Sequence, residues 1–176
     1  PARVETVENY DAKLSGLRAT VENLIQNENI KVIAFQEVKS REVIEQVLGE
    51  FAGQFNVCVA PHDAFQTVAF AWNKSISSVS SAANSCMPNP DLAITEQFQD
   101  EPARHRVRPG LALRLVINGV PVTFLNIHLK SGCANLNTGR GFTGHKLTDP
   151  DPGCEVLNRQ VPIIEDCVEN MARESP

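Results

Sequence analysis

The chain has 176 residues, of which 42% are hydrophobic, so we expect residues 1–176 to form a single domain with a sizeable core. Its 16 Lys and Arg against 21 Asp and Glu give a net charge of −5, which argues against a protein that mainly binds nucleic acid through a basic surface. No apolar run approaches the roughly 20 residues of a membrane-spanning helix, so we expect no stable membrane insertion.

Helical and extended segments alternate through the first half of the chain. Apolar residues recur at helical spacing in two segments and form short apolar runs in four others. The predicted helices are 11–28, with Leu14, Leu17, Val21, Leu24 and Ile25 on one stripe, and 41–51. The predicted strands are 31–37, 55–60, 67–72 and 76–80. The proline-rich residues 82–109 predict a long loop, and loops of that length in compact domains are often functional.

A hairpin is the clearest feature of the second half. Asn118-Gly119 lies between the apolar runs Leu111–Ile117 and Val120–Leu129, which is the strongest short hairpin signal. A loop over 130–153 and a last helix over 155–172 follow. Pro162 falls inside that helix and predicts a kink or a restart.

Polar residues interrupt two of the predicted strands near their carboxyl ends. In the hairpin, Asn126 and His128 are two residues apart, so alternation places them on one face. In strand 31–37, alternation predicts that Ile33, Phe35 and Glu37 share a face. Ligands of open α/β sheets bind at the carboxyl ends of strands, so the hairpin is expected to deliver His128 to the edge where Glu37 lies.

Both segments resemble motifs of one family. Asn126-Ile127-His128-Leu129 resembles the Asn-x-His-Leu segment of the endonuclease/exonuclease/phosphatase superfamily, the DNase I-like phosphoesterases, and 31–38 resembles its strand that ends in Gln-Glu. Element order extends the resemblance over most of 11–170. It implies an α/β (α+β) fold, a four-layer sandwich of two mixed sheets flanked by helices. The sandwich is expected to be incomplete at both ends, because the family's early Asn strand and its Gly-Asp-x-Asn and Asp-His motifs do not occur here.

The resemblance also implies site roles. Glu37 is expected to bind a divalent metal, Mg²⁺ with Mn²⁺ or Ca²⁺ as alternatives, and magnesium accepts one or two carboxylates together with water and phosphate oxygens. His128 is expected to stabilise the phosphate, with Asn126 orienting a neighbouring site residue. Arg108 and Lys130 are expected to contact the substrate phosphate, since Arg binds phosphate bidentately.

Each role has a structural alternative. Glu37 and Lys130 could be solvated charges, and Arg108 a surface charge on an edge strand. His128 could be a hydrogen-bonded core histidine, and Asn126 could be purely structural. Two further pairs are candidates: His62 and Gln66, which precede a strand, could approach the cleft, and we favour a structural role for Arg159 and Gln160, tying the last helix to the adjacent loop.

Five cysteines indicate a compartment. Cys133 and Cys154 bracket a Gly-, Pro- and Asp-rich loop, as in secreted bacterial members of the family, and are interpreted as a disulfide, with reduced independent thiols as the alternative. Cys58 and Cys86 form a second candidate pair, and Cys167 is expected to be a buried thiol. The disulfide interpretation predicts a secreted or periplasmic protein.

The preferred functional interpretation is therefore a metal-dependent phosphoesterase that hydrolyses phosphodiester bonds, as a nuclease does. Its partner would be a phosphodiester substrate such as nucleic acid, and the chain is expected to be monomeric. The alternatives are a phospholipid or small phosphate-ester phosphatase of the same fold, or a binding module that kept the fold without the chemistry. Because no base for the attacking water is evident, the 176 residues alone are expected to be inactive.

Overall fold

A computed structural model describes residues 7–62, 66–78, 85–94, 107–131, 133 and 152–174. Within these ranges the chain forms α-helices, β-strands and two short 3₁₀ helices, at Gly49–Gln54 and Pro90–Leu92. The helices are α1 (Val7–Asn27), α2 (Arg41–Leu48) and α3 (Pro152–Glu174). The strands are β1 (Val32–Val38), β2 (Phe55–Val59), β3 (Thr67–Asn73), β4 (Ser77–Ser78), β5 (Cys86–Asn89), β6 (Gly110–Ile117) and β7 (Val120–Asn126).

The first sheet has the strand order β1-β3-β2, with both pairings antiparallel. Helices α1 and α2 cover one of its faces. The α2 side chains Ile44, Val47 and Leu48 are fully buried against the sheet. The core on this side consists of Val21, Phe35, Ile44, Val47, Leu48, Phe55, Val57, Ala69 and Ala71. Within the α1 stripe, Leu17 and Leu24 are 46% and 36% exposed, so these two residues do not join this core as the spacing predicted.

The second sheet is built around β6. Strand β7 pairs with one edge of β6 through the predicted Asn118-Gly119 turn, and β4 and β5 pair end to end along the other edge. The inner face of β6 packs against β3 in a second core between the sheets, formed by Ala60, Val68, Phe70, Trp72, Cys86, Leu111, Leu113 and Leu115. Arg114 lies on the opposite face of β6 and lines a cavity with α3, which places α3 outside this sheet.

Three features of the helices and strands differ from the sequence predictions. Residues 86–89, predicted as loop, form β5 at the sheet edge, where the missing N–H of Pro88 breaks no ladder. Strand β7 ends at Asn126 rather than Leu129, because its last partner is Leu111 near the start of β6. Helix α3 runs without interruption through Pro162. The expected mixed sheets are also not found, since every pairing among the described strands is antiparallel.

Two disulfides tie the layers together. Cys58–Cys86 joins β2 of the first sheet to β5 of the second, and Cys133–Cys154 joins the segment after β7 to the start of α3. Both predicted pairings are therefore confirmed, whereas Cys167 is a free, half-buried thiol rather than a fully buried one. None of the described helices is long and apolar enough to cross a membrane.

The disulfide between the sheets should contribute measurably to stability. Its partners are 28 residues apart, and closing a loop of that size stabilises by about 3–4 kcal/mol in the chain-entropy model. We expect the double variant Cys58→Ala/Cys86→Ala to lose about 3 kcal/mol of unfolding free energy in urea denaturation. Cys167→Ala, which removes a thiol outside both pairs, should lose less than about 1 kcal/mol. Equal stability of the two variants would contradict this assignment.

Candidate active site

Strand β1 ends in a bulge that turns Glu37 toward the second sheet. Glu37 has a φ of +58°, and the register with β3 shifts between Phe35 and Val38. Phe35 and Val38 both pack into the core below α1 and α2, whereas the Glu37 carboxylate approaches His128 beyond β7. The prediction that Ile33, Phe35 and Glu37 share one face is therefore wrong, because a bulge breaks the two-residue alternation and re-aims a side chain.

Asn126 links the two sheets at this end of the sandwich. Its side chain is buried, and its Nδ2 donates to the Phe35 carbonyl at 2.9 Å and to the Ala69 carbonyl at 3.0 Å. Both carbonyls belong to the first sheet, while Asn126 ends β7 of the second. All of the amide hydrogens are therefore used, as a buried polar group requires.

Gln36 continues this link toward the surface. Its Nε2 donates to Asn126 Oδ1 at 3.3 Å and to the Ile127 carbonyl at 2.7 Å. The two residues joined by the second bond are 91 positions apart in the chain. Gln36 thus holds the backbone between Asn126 and His128 against the bulge that carries Glu37.

Glu37 and His128 meet where β1 and β7 end. His128 Nε2 lies 3.7 Å from Glu37 Oε1, and the two side chains are 22% and 59% exposed. This distance exceeds the 2.7–3.2 Å of an N–H···O hydrogen bond, so the two side chains are neighbours but are not hydrogen-bonded to each other. Both groups remain accessible to a third component placed between them.

Arg108 lies beside this pair. Burial lowers the pKa of His128 from its ordinary value, the Arg108 guanidinium lowers it further, and the Glu37 carboxylate acts in the opposite direction. Neutral imidazole is thus the favoured form of His128 at neutral pH. Arg108 Nη2 donates to Gln66 Oε1 at 3.0 Å, which fixes the guanidinium between the segments that lead into β3 and β6.

Two buried nitrogen atoms of the site lack a hydrogen-bond partner among the described residues. They are His128 Nδ1 and Arg108 Nε. Buried polar atoms without partners are rare in folded proteins and need an explanation such as a bound ion or water. A phosphate oxygen or a water molecule is a suitable partner for the guanidinium nitrogen.

The segment that carries His128 is braced from the opposite side by α3. Gln160, fully buried, accepts from the Lys130 N–H at 2.9 Å and donates to the Leu92 carbonyl at 3.1 Å. The Cys133–Cys154 disulfide fixes the same segment five residues after His128. The structural role predicted for Gln160 is thereby confirmed, and the contact that fixes Lys130 is made by its backbone.

Glu37 fits the part of a single metal ligand. Its carboxylate is more than half exposed at the end of a strand, and magnesium is commonly held by one or two carboxylates with water and substrate phosphates. Over the described ranges, no group of three or more His, Cys, Asp or Glu forms a cage for a metal. The donor set therefore suits a weak site that a phosphate ligand would strengthen.

The structure brings four of the sequence-predicted residues together: Glu37, His128, Asn126 and Arg108. Arg104 and Arg106, which precede Arg108 at two-residue spacing in the sequence, lie outside the described residues. Sequence reasoning assigned no role to Gln36, although it lies within the quoted Gln-Glu motif. Of the weaker pair His62 and Gln66, Gln66 reaches the site, where it accepts from Arg108.

Comparison with protein-family models and with curated proteins gives no match. Solved structures do match. The crystal structure of selenomethionine TDP2 from Caenorhabditis elegans has a TM-score of 0.55 and 16% identity, covering 94% of this chain and 40% of that chain. A second crystal structure of C. elegans TDP2 has a TM-score of 0.54 and 15% identity with the same coverage.

TDP2 is a DNase I-like protein. This chain has the DNase I-like fold. At such low identity the likeness concerns the fold alone, and the chain spans about 40% of the length of the matched TDP2 chains. The DNase I-like fold that the resemblance implies is confirmed, apart from its expected mixed sheets.

The amide of Asn126 should be indispensable for stability. Asn126→Asp replaces its donor by a carboxylate that faces the Phe35 and Ala69 carbonyls in a buried position. We expect a loss of about 3–5 kcal/mol in the free energy of unfolding measured with urea. Asn23→Asp on the exposed side of α1 serves as the control and should change stability by about 0.5 kcal/mol or less. Similar stability of both variants would refute the link.

The geometry around His128 predicts two opposite pKa changes. Arg108→Gln removes a cation and should raise the pKa of His128, whereas Glu37→Gln removes an anion and should lower it. NMR titration of the His128 ring protons in metal-free buffer measures both. Arg173→Gln, which removes a remote exposed cation, should leave the titration unchanged. A shift in the reverse direction in either site variant would show that the neighbours are wrongly placed.

Proposed function

We propose that the site formed by Glu37, His128, Asn126 and Arg108 belongs to a metal-dependent phosphodiesterase that acts on nucleic acid. The observation that carries this proposal is the approach of His128 Nε2 to Glu37 Oε1 at 3.7 Å, with Arg108 close enough to lower the pKa of His128. One carboxylate, one imidazole and one guanidinium thus converge where two strands end. This set can bind a divalent cation and a phosphate at the same time.

Each residue has a defined part in the proposed chemistry. Glu37 would hold Mg²⁺, which when bound supplies Lewis-acid stabilisation of charge on the phosphate oxygens. Neutral His128 retains one N–H and would donate it to a phosphate oxygen, and Arg108 would donate to another. Asn126 does not face the substrate, because its amide hydrogens are spent on two buried carbonyls. We therefore propose that Asn126 positions the site.

The fold and the disulfides support the setting of this proposal. The two sequence motifs resemble those of the DNase I-like phosphoesterases, and the fold is of that type. Two cysteine pairs, Cys58–Cys86 and Cys133–Cys154, form disulfides, which persist in oxidising compartments. We accordingly propose a secreted or periplasmic location.

Coupled binding of metal and phosphodiester tests the proposed site. Mn²⁺ replaces Mg²⁺ as a paramagnetic probe, and thymidylyl-thymidine serves as a small phosphodiester. We expect weak Mn²⁺ binding that tightens when the dinucleotide is added, since phosphate oxygens complete the coordination of the metal. Glu37→Gln should abolish Mn²⁺ binding, and Arg108→Gln should weaken the dinucleotide's effect while Mn²⁺ alone still binds.

Matched controls separate the site from general electrostatics. Glu45→Gln removes one exposed negative charge elsewhere and is matched to Glu37→Gln. Arg173→Gln removes one exposed positive charge and is matched to Arg108→Gln. Both should bind Mn²⁺ and dinucleotide as the unmodified chain does. If Glu37→Gln binds Mn²⁺ as well as Glu45→Gln does, the proposed metal site is excluded.

Turnover by the 176-residue chain is expected to be absent. Within the described part of the chain, no third carboxylate or imidazole joins Glu37 and His128 in a cluster, so no base for the attacking water is evident there. We expect no Mg²⁺-dependent hydrolysis of bis(p-nitrophenyl) phosphate above background in a spectrophotometric assay. Clear turnover that disappears on adding EDTA would contradict this expectation.

A further inference from the structure

We propose that Gln36 is a positioning residue, which holds Glu37 opposite His128. This inference rests on the proposed function of the site and adds a residue to which no role has been assigned. Gln36 would not contact the metal or the phosphate. It would act through the two residues on either side of the gap, by fixing the backbones that carry them.

Two tripeptides, one at the end of β1 and one at the end of β7, contact each other in register. Residues 35–37 of β1 face residues 126–128 at the end of β7. The Phe35 carbonyl accepts from Asn126, the Gln36 amide donates to Asn126 and Ile127, and the Glu37 carboxylate approaches His128. Gln36 makes the middle pair of hydrogen bonds in this contact. They are the last hydrogen bonds before the Glu37 and His128 side chains, which are separated by 3.7 Å.

The backbone conformation of Glu37 requires a stabilising contact of this kind. A φ of +58° is unfavourable for a residue with a Cβ, and it persists only where neighbouring contacts hold it. Among the described residues, the Glu37 side chain makes no close hydrogen bond that would hold it, since its contact with His128 is 3.7 Å. Gln36 precedes it directly and is bonded across the gap at 2.7 Å.

The same bond acts on His128 from the other side. The Ile127 carbonyl, which accepts from Gln36, belongs to the peptide unit that leads into His128. Strand β7 has ended by this point, so no ladder bond to β6 fixes this peptide. Gln36 therefore acts on both halves of the gap with a single amide group.

A purely structural role predicts a different outcome. The sheets are already joined by the buried Asn126 amide, by the core between them and by Cys58–Cys86. Loss of the surface amide of Gln36 should therefore leave the fold in place and loosen only the gap. A readout specific to the distance between the Glu37-bound metal and His128 distinguishes the two roles.

The test uses the 176-residue chain with Mn²⁺ as the probe. Mn²⁺ held by Glu37 should broaden the NMR signals of the His128 ring, because paramagnetic relaxation falls steeply with distance. Gln36→Met keeps the length of the side chain and removes both of its N–H donors. Gln26→Met is the matched control, since Gln26 donates to Glu50 in an exposed contact far from the site. Thermal unfolding and Trp72 fluorescence report whether each variant is folded.

We expect Gln36→Met to bind Mn²⁺, as measured by water proton relaxation, while the broadening at His128 falls several-fold. Gln26→Met should match the unmodified chain in both respects. Unchanged broadening in Gln36→Met would overturn the inference, and loss of Mn²⁺ binding itself would make Gln36 part of the metal site and overturn a positioning role. If Gln36→Met fails to fold, Gln36→Asn, whose amide is one methylene shorter, is expected to give the same selective loss.

Failure of the underlying proposal has a different signature. If Mn²⁺ does not broaden His128 in the unmodified chain, or if the broadening survives in Glu37→Gln, the metal site is wrong and the role of Gln36 falls with it. If Glu37→Gln abolishes the broadening and Gln36→Met does not change it, only the positioning role is overturned.

Discussion

The whole site depends on one buried amide that must satisfy its hydrogen bonds between two sheets. Asn126 ends a strand of the second sheet, and its Nδ2 has its acceptors on two strands of the first, at Phe35 and Ala69. Leaving such a group unpaired costs about 1–3 kcal/mol, so the ends of β1 and β7 are held at one spacing and one register. This register sets residues 35–37 against residues 126–128, and these two tripeptides carry the carboxylate and the imidazole of the site.

This constraint is supported from outside the core. Gln36 extends the amide contact to the Ile127 carbonyl, and Gln160 with Cys133–Cys154 fixes the segment after His128 to α3. The strained backbone of Glu37 lies at this edge, together with the nitrogens of His128 and Arg108 that have no partner among the described residues. Strain and unsatisfied polar groups within a rigid frame are typical of binding and catalytic sites.

The sequence predicts the residues of the candidate site but not the contacts between them. The hairpin turn, the strand-end positions of Glu37 and His128, and both cysteine pairs could be predicted, because turn chemistry and motif resemblance are local signals. Alternation failed at Glu37, since a bulge with positive φ shifts the face of the next side chain. Strand β5 was missed because a four-residue segment that contains Pro88 and is followed by Pro90 resembles a loop. The contact of Gln36 depends on a register that no local pattern encodes.

The most direct test of this account is anomalous X-ray diffraction from a crystal of the chain soaked with Mn²⁺ and a dinucleotide phosphodiester. The account predicts one Mn²⁺ peak at coordination distance from the Glu37 carboxylate, with a phosphate oxygen bound to it. His128 Nε2 and Arg108 should contact the same phosphate. An Mn²⁺ peak remote from Glu37, or a phosphate bound away from His128, would contradict it.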